Sequence, residues 1–236
     1  MKMKKEDLPI EYNGSYPNGI PYISIVIATF NKAAILDKTL TSIKANVTDI
    51  PYDIIVIDDG SVDNTSDICR KHACLYVWVN GGGYRGPAVP RNMGCRIARG
   101  EILITQSDDV LHESTDTINR LADLERGCVN LAAVWNVDTN LTKNTCYCHG
   151  ELHPTPHFFL GSIYRDDFWA IGGNDEDFTT PGYEDVYLGE LIKRKYKINW
   201  CNDIVGLHQN HGRPRNLRNL VVPSRILYEE KMKELE

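Results

Sequence analysis

Ile54-Ile55-Val56-Ile57-Asp58-Asp59-Gly60-Ser61 is the stretch that decides the fold. Its opening four β-branched residues are too uniformly apolar for a half-exposed strand, so they predict one buried on both faces. The run stops abruptly at two carboxylates and a turn. Working outward, Ile23-Ser24-Ile25-Val26-Ile27-Ala28 has the same character, and Ile102-Leu103-Ile104-Thr105 repeats it before Gln106-Ser107-Asp108-Asp109. Helical signals fill the gaps. Asn31 reads as a helix N-cap, followed by Leu36, Leu40, Ile43 and Val47 along one face. A polar helix over Ser61–Lys71 leads to a strand over Leu75–Val79, and a helix carrying Asn92, Ile97 and Ala98 follows the loop Gly81–Gly86. Strands alternating with helices predict βαβ units, an α/β fold and a mostly parallel central sheet flanked by helices. Such sheets bind ligands beyond the carboxyl ends of their strands, where both aspartate pairs fall.

The second half is less regular. It reads as a helix from about Glu113 to Arg126, a strand near Leu131–Val137, a polar loop over 138–157 and a strand over Phe158–Tyr164. Ile171-Gly172-Gly173-Asn174-Asp175-Glu176-Asp177-Phe178 is a turn-rich loop that packing does not explain. A helix from about Glu184 to Lys195, short strands near Lys197–Trp200 and Ile204–Leu207, and a charged helical tail over 216–236 complete the chain. That tail carries Ile226, Leu227, Met232 and Leu235, which can dock on the body or on a partner.

Composition narrows the classes. At 236 residues the chain holds one generous domain, and 42% apolar with 25% charged residues is ordinary for a globular protein. A net charge of −6 argues against a dedicated nucleic-acid binder. The seven cysteines include no CxxC pair, so reduced thiols in a cytoplasmic protein are expected; Cys146-Tyr147-Cys148-His149 would be half a metal site at most. The lysines near the N-terminus precede no apolar run, and no segment is apolar enough to span a bilayer, leaving peripheral contact as the way to a membrane-bound acceptor.

Group transfer from a nucleotide diphosphate requires groups for the nucleoside, for the leaving diphosphate and for the acceptor proton. Asp58 or Asp59 can accept from a nucleobase imide or ribose hydroxyls. Asp108 suits Mg²⁺ or Mn²⁺, and an imidazole such as His208 tilts the choice toward Mn²⁺. Asp185, beside Glu184 at a helix start, is a candidate general base. Each has an ordinary alternative: a turn with a helix cap for Asp58/Asp59 and for Asp108/Asp109, and a macrodipole preference for Glu184-Asp185. Their appearance together, in order, on one α/β scaffold is what counts.

Over residues 22–210 the sequence resembles the inverting GT-A glycosyltransferases of the family-2 type. Ser24-Ile25-Val26-Ile27-Ala28-Thr29-Phe30-Asn31-Lys32 is similar to that family's opening strand, and Ile55 through Asp63 to its nucleotide-binding Asp-Asp-Gly-Ser element. Pro90-Arg91-Asn92-Met93-Gly94 is similar to the helix leading to the metal strand, and Ile171-Gly172-Gly173 through Glu184-Asp185-Val186 to the acceptor loop and Glu-Asp motif. The resemblance implies a nucleotide-sugar site of Ala28, Thr29, Phe30, Asn31, Asp58, Asp59, Ser61, Arg85, Arg91, Ser107, Asp108 and Glu184. It implies Asp185 as base, a metal on Asp108 and a late histidine, and inversion; His208 is taken over His211 because it directly ends a strand. One departure stands out: where the family's metal motif is usually Asp-x-Asp, this chain has Gln106-Ser107-Asp108.

The expectation is therefore a leader (1–20), one GT-A domain (21–215, donor half about 21–110 and acceptor half about 111–215) and the tail. Its partners would be a nucleotide-sugar donor, UDP-linked by default, and a glycan, glycolipid or glycoprotein acceptor. Two rivals remain. Gly81-Gly82-Gly83-Tyr84-Arg85-Gly86 satisfies the G-x-G-x-x-G of an NAD-dependent oxidoreductase, but it follows the third strand and Pro87 and Pro90 disturb the helix start. Gln106 raises a non-catalytic nucleotide-sugar-binding module, against which Asp108, Asp185 and His208 are all retained.

Overall fold

The computed structural model describes residues 19–80, 86–212 and 216–235. The leader, Arg85 and most of the glycine-rich loop named above lie outside the described residues. The first half contains β1 (Ile23–Thr29), α1 (Ala33–Lys44), β2 (Tyr52–Asp58), α2 (Thr65–Lys71), β3 (Leu75–Trp78), α3 (Ala88–Ile97) and β4 (Ile102–Ser107). The second contains β5 (Val110–His112), α4 (Thr117–Ala122), β6 (Cys128–Val137), β7 (Lys143–Cys148), β8 (Leu160–Tyr164), α5 (Arg165–Ala170), α6 (Glu184–Lys195), β9 (Lys197–His208) and α7 (Leu217–Glu234).

One sheet carries all the strands in the order β3-β2-β1-β4-β8-β6-β9-β5, with β7 pairing off the path onto β6. The β3-β2-β1-β4 part is parallel throughout, and its runs of Ile and Val are buried on both faces, as their lack of alternation predicts. Beyond β4 the sheet is mixed: β8 runs antiparallel to β4 and β6, whereas β9 runs parallel to β6. Chain order reverses direction between β1 and β4, so their carboxyl ends form a topological switch point, where open α/β sheets place ligands. Gly94 lets α3 lie close on this sheet, since a Cβ there would sit 2.5 Å from Val26 Cγ1.

Several boundaries differ from the sequence reading. Asn31 is not the cap of α1: it adopts a left-handed φ of 51°, and its Oδ1 accepts from Val62 N–H. Lys32 takes the cap position, and Asp63 from the next loop accepts from Ala33 N–H, so the helix is capped across the fold. The helix expected over Ser61–Lys71 begins only at Thr65. That expected over Glu113–Arg126 shrinks to Thr117–Ala122, because Ser114 and Asp116 bond to each other and Thr117 bonds back to Ser114 O. The loop expected over 138–157 contains β7, whose exposed outer residues give no apolar alternation to read. The two strands expected after Lys197 are one, β9, broken in register opposite Ala132/Ala133. Helix α7 docks on the body: Leu227, Met232 and Leu235 pack around Phe178 and Tyr187, while Ile226 faces outward. Among the described residues no helix is long and apolar enough to cross a membrane, and none of the seven cysteines is disulfide-bonded.

The departure at Gln106 has a structural explanation. Gln106 is fully buried, its Nε2 donates to Val110 O at 2.7 Å, and its Oε1 lies 2.9 Å from His112 Nε2. His112 Nδ1 is 2.9 Å from Asn46 Nδ2, which closes a neutral polar network behind the strand end. A carboxylate at 106 would be buried there without a cation in that network; an amide satisfies both partners.

Burial lowers the His112 pKa from 6.5 to about 4. Between those values the unfolded chain binds a proton that the folded protein refuses, so this group withdraws stability as pH falls from 6.5 toward 4. The expected loss is on the order of 3 kcal/mol. Urea unfolding of the wild type and of His112→Gln across that range checks it: the variant's stability should fall less steeply with acid, and parallel curves would refute the assignment.

Candidate active site

The loops after β1 and β2 are woven together at the switch point. Asp58 Oδ1 accepts from Ser61 N–H at 2.8 Å and Oδ2 accepts from Tyr76 Oη–H at 2.7 Å. Ser61 Oγ in turn accepts from Asn31 N–H at 2.7 Å, and Asp59 N–H donates to Thr29 O. Asp58 and Ser61 thus shape the turn and do not line the cavity beyond it; Asp59, Asp63 and Asn64 do. Of the two aspartates the sequence left as alternatives, Asp59 is the one that lines the cavity.

That cavity, about 1500 Å³, opens over the carboxyl ends of β1 and β4 and is walled by both halves of the chain. Ala28, Thr29, Phe30, Asn31, Arg91, Ser107, Asp108, Glu184, Asp185 and His208 all line it, so nearly all of the expected site residues converge. Its size exceeds the roughly 300–1,000 Å³ usual for one small-molecule ligand, which leaves room for two.

Six side chains from three distant segments meet at its floor. Asp108 Oδ2 accepts from Thr29 Oγ1 at 2.9 Å, and its Oδ1 lies 2.9 Å from Lys32 Nζ. Lys32 Nζ is also 2.8 Å from Asp109 Oδ2, which has His211 Nε2 at 2.9 Å. His208 Nε2 stands 3.5 Å from Asp109 Oδ1, a buried oxygen with no hydrogen-bond donor. Among the described residues, Asp109, His208 and His211 form the one group of three potential metal ligands, with ligand atoms within 4.8 Å of one another. The Cys146/Cys148/His149 stretch forms no such group. Mixed carboxylate and imidazole donors around an unsatisfied oxygen suit a divalent transition ion such as Mn²⁺ better than Mg²⁺. Asp108, the ligand the sequence singled out, is engaged by Thr29 and Lys32, and Asp109 is the carboxylate that faces the imidazoles. Burial raises the Asp108 carboxyl despite Lys32; burial also opposes ionisation of Asp109, but His211 and Lys32 outweigh it and hold Asp109 low.

The opposite wall is the start of α6. Tyr183, at φ 68°, turns the chain so that Glu184 and Asp185 enter the cavity from the first helical turn. His157 Nδ1 lies 3.2 Å from Asp185 Oδ2, and Val186 N–H donates to Oδ1 at 2.8 Å. Burial pushes Asp185 up, but the His157 contact and the Arg91 charge prevail and keep it below the usual carboxylate range. Glu184, buried beside Asp185, is pushed up to about 7 against the pull of Arg91. Arg91 itself is buried with Nε and Nη1 lacking acceptors, and it lines the same cavity. The two walls are joined by rings: His157 stacks on Phe159 at 5.3 Å, and Phe159 and Tyr147 both meet His208.

The cavity is also lined by Lys32, Asp109, His157, His211, Tyr147 and Phe159, which the sequence reading did not place in the site. Asp109 and His211 were visible as neighbours of residues that were chosen. Tyr147 and His157 sit in the stretch taken for loop and Phe159 in the strand expected after it, and the strand pairing of β7 and β8 with β6 brings them to the cavity.

The profile of glycosyl transferase family 2 matches residues 24–167. Validoxylamine A glucosyltransferase of Streptomyces hygroscopicus subsp. jinggangensis is 28% identical over 215 residues, covering 72% of this chain and 51% of that protein. The poly(ribitol-phosphate) beta-glucosyltransferase of Bacillus spizizenii is 36% identical over 98 residues, 38% of this chain and 15% of that protein. The chain spans about half the length of the first of these relatives. Among solved structures, the mannosyltransferase PcManGT of Pyrobaculum calidifontis, in complex with GDP-Man and Mn²⁺, superposes with a TM-score of 0.60 at 18% identity, covering 89% of this chain and 62% of that one. S. aureus TarS in complex with UDP-GlcNAc gives 0.62 at 15% identity, covering 81% and 59%. These likenesses establish the GT-A fold.

Glu184 offers a test of the site's electrostatics. Its raised pKa means the folded protein keeps a proton between 4.5 and about 7 that the unfolded chain releases. The stability this contributes is complete below 4.5 and is lost as pH rises through 7. Glu184→Gln, which mimics the protonated form, should be more stable than wild type at pH 8 by roughly 1–3 kcal/mol, and the gap should close toward pH 4.5. A gap of the same size at both pH values in thermal melts would contradict the assignment.

Proposed function

The chain belongs to glycosyl transferase family 2, and we propose that it moves a sugar from a nucleotide-diphosphate donor, UDP-linked by preference, onto an acceptor hydroxyl with inversion at the anomeric carbon. The observation that carries this reading is the single cavity with an Asp/His cluster on one wall and a helix-mounted Asp185 on the other. In it, residues 21–110 form the donor half and residues 111–215 the acceptor half of one domain.

Ala28, Thr29, Phe30, Asn31 and Asp59 receive the nucleoside, with Asp58 and Ser61 holding their loops in place. Asp109, His208 and His211 are the residues that would hold a Mn²⁺ or Mg²⁺ ion, with Asp108 alongside. A bound ion would stabilise the charge that develops on the leaving diphosphate. The unsatisfied Arg91 guanidinium, with Ser107 at the strand end, faces the same region and contributes positive charge. Asp185 takes the acceptor proton as the new glycosidic bond forms and the bond to the diphosphate breaks. His157 fixes the Asp185 carboxylate through Oδ2, leaving a lone pair on Oδ1 for the acceptor hydroxyl. The acceptor enters past Pro181, Tyr183 and Tyr228, where α7 forms the outer wall. A glycan, glycolipid or glycoprotein hydroxyl fits this site, and the acceptor's identity rests with those loops.

Two measurements test the reading. In calorimetric titrations of UDP and GDP with Mn²⁺, Mg²⁺ or chelator, one nucleotide should bind in a metal-dependent manner, and Asp109→Ala should abolish that dependence. Failure of both nucleotides to bind under every condition would sink the transferase reading. Asp185→Asn should leave nucleotide affinity unchanged while donor turnover falls about 10²–10⁴-fold. Turnover within a few-fold of wild type would remove Asp185 from the base role.

A further inference from the structure

Lys32 occupies an unusual position. It is the cap residue of α1, where a cation opposes the helix dipole and no side-chain cap is made. Asp63 performs the capping from another loop, and the Lys32 side chain, which has no acceptor to cap with, reaches across the switch point. Its ammonium bridges Asp108 Oδ1 and Asp109 Oδ2 at 2.9 and 2.8 Å. Asp109 is also the carboxylate of the Asp/His cluster, so Lys32 and a divalent ion on that cluster share one ligand. The lysine stem is flexible, about a quarter exposed, and lines the cavity where a diphosphate would lie.

We propose that Lys32 is the resident counter-ion of the metal cluster, which a divalent ion displaces from Asp109 onto a diphosphate oxygen of the incoming nucleotide. This rests on the donor-site reading above. Without nucleotide, the ammonium competes with the ion for Asp109 and repels it. With nucleotide present, the ammonium gains an anionic partner and the ion gains both Asp109 and the phosphates. Metal and nucleotide therefore bind with positive coupling, and by reciprocity each raises the other's affinity by the same factor. The lysine makes the dependence of one on the other a property of the protein and not only of direct ion–phosphate contact.

The test is Mn²⁺ binding, followed by the electron paramagnetic resonance signal of the free ion, with and without UDP or GDP. Wild type, Lys32→Met, Lys32→Arg and Asp109→Ala are compared. Lys32→Met keeps the stem and removes the charge. It should bind Mn²⁺ alone at least fivefold more tightly than wild type, and the enhancement by nucleotide should shrink by a similar factor, within the roughly 5–150-fold range of coupled sites. Lys32→Arg, which keeps a cation, should stay near wild type. If Lys32→Met binds Mn²⁺ alone no more tightly than wild type, Lys32 is not a competitor and the proposal is overturned, while the donor site stands as long as Asp109→Ala abolishes binding. If wild type binds no Mn²⁺ even with nucleotide, or if Asp109→Ala binds it unchanged, the donor-site reading fails and this inference fails with it.

Discussion

Buried negative charge is the constraint around which this molecule is organised. Asp108, Asp109, Glu184 and Asp185 are all nearly inaccessible, and all line one cavity. Desolvating that many carboxylates is tolerable only where cations and donors compensate them. Lys32 and His211 serve the first pair, and His157 and Arg91 the second. The compensation is incomplete: Glu184 Oε2, Asp109 Oδ1 and two Arg91 nitrogens lack hydrogen-bond partners. Atoms of both signs are thus left open to a ligand, which is what the proposed binding of a cation and a diphosphate would use. Rigid strand ends and a helix start supply the positions, and the rest of the fold exists to hold them there.

The division of labour between the aspartates follows from the same constraint. Asp58 spends both oxygens on Ser61 N–H and Tyr76, so it secures the geometry of a loop. Asp59, one residue later, faces the cavity. Asp108 and Asp109 divide similarly, the first tied to Thr29 and the second turned to the histidines. Gln106 stands outside this economy, since its amide completes a neutral network with His112 and Asn46 behind the strand. Gln106 is therefore not part of the cavity lining, and the amide leaves that lining unchanged.

The parallel half of the fold was legible because Ile54–Ile57, Ile25–Ile27 and Ile102–Ile104 have no polar face, and an unbroken apolar run of strand length has one favourable home. Helix α6 was legible because Leu188 and Ile192 follow an acidic first turn. What stayed hidden depended on pairing between distant segments. Nothing local marks Lys143–Cys148 as a strand, and its outer residues are exposed; it becomes one by adding to β6. His157 then reaches Asp185 only because β8 returns between β4 and β6. The choice of Asp109 over Asp108 as the carboxylate facing the imidazoles is likewise a matter of loop geometry beyond the strand end, where alternation no longer predicts direction. Family resemblance pointed to residues that converge on one cavity, and the three-dimensional contacts separate those that line it from those that shape its loops.

The central claim is that the donor diphosphate and a divalent ion meet at the Asp109 wall, opposite Asp185. Anomalous diffraction from crystals grown with Mn²⁺ and UDP or GDP addresses it directly. One strong manganese peak is expected within bonding distance of Asp109, His208 and His211, touching the diphosphate, with the nucleoside over the ends of β1 and β2. A manganese or nucleotide position away from that wall, with Asp185 facing no substrate, would contradict it.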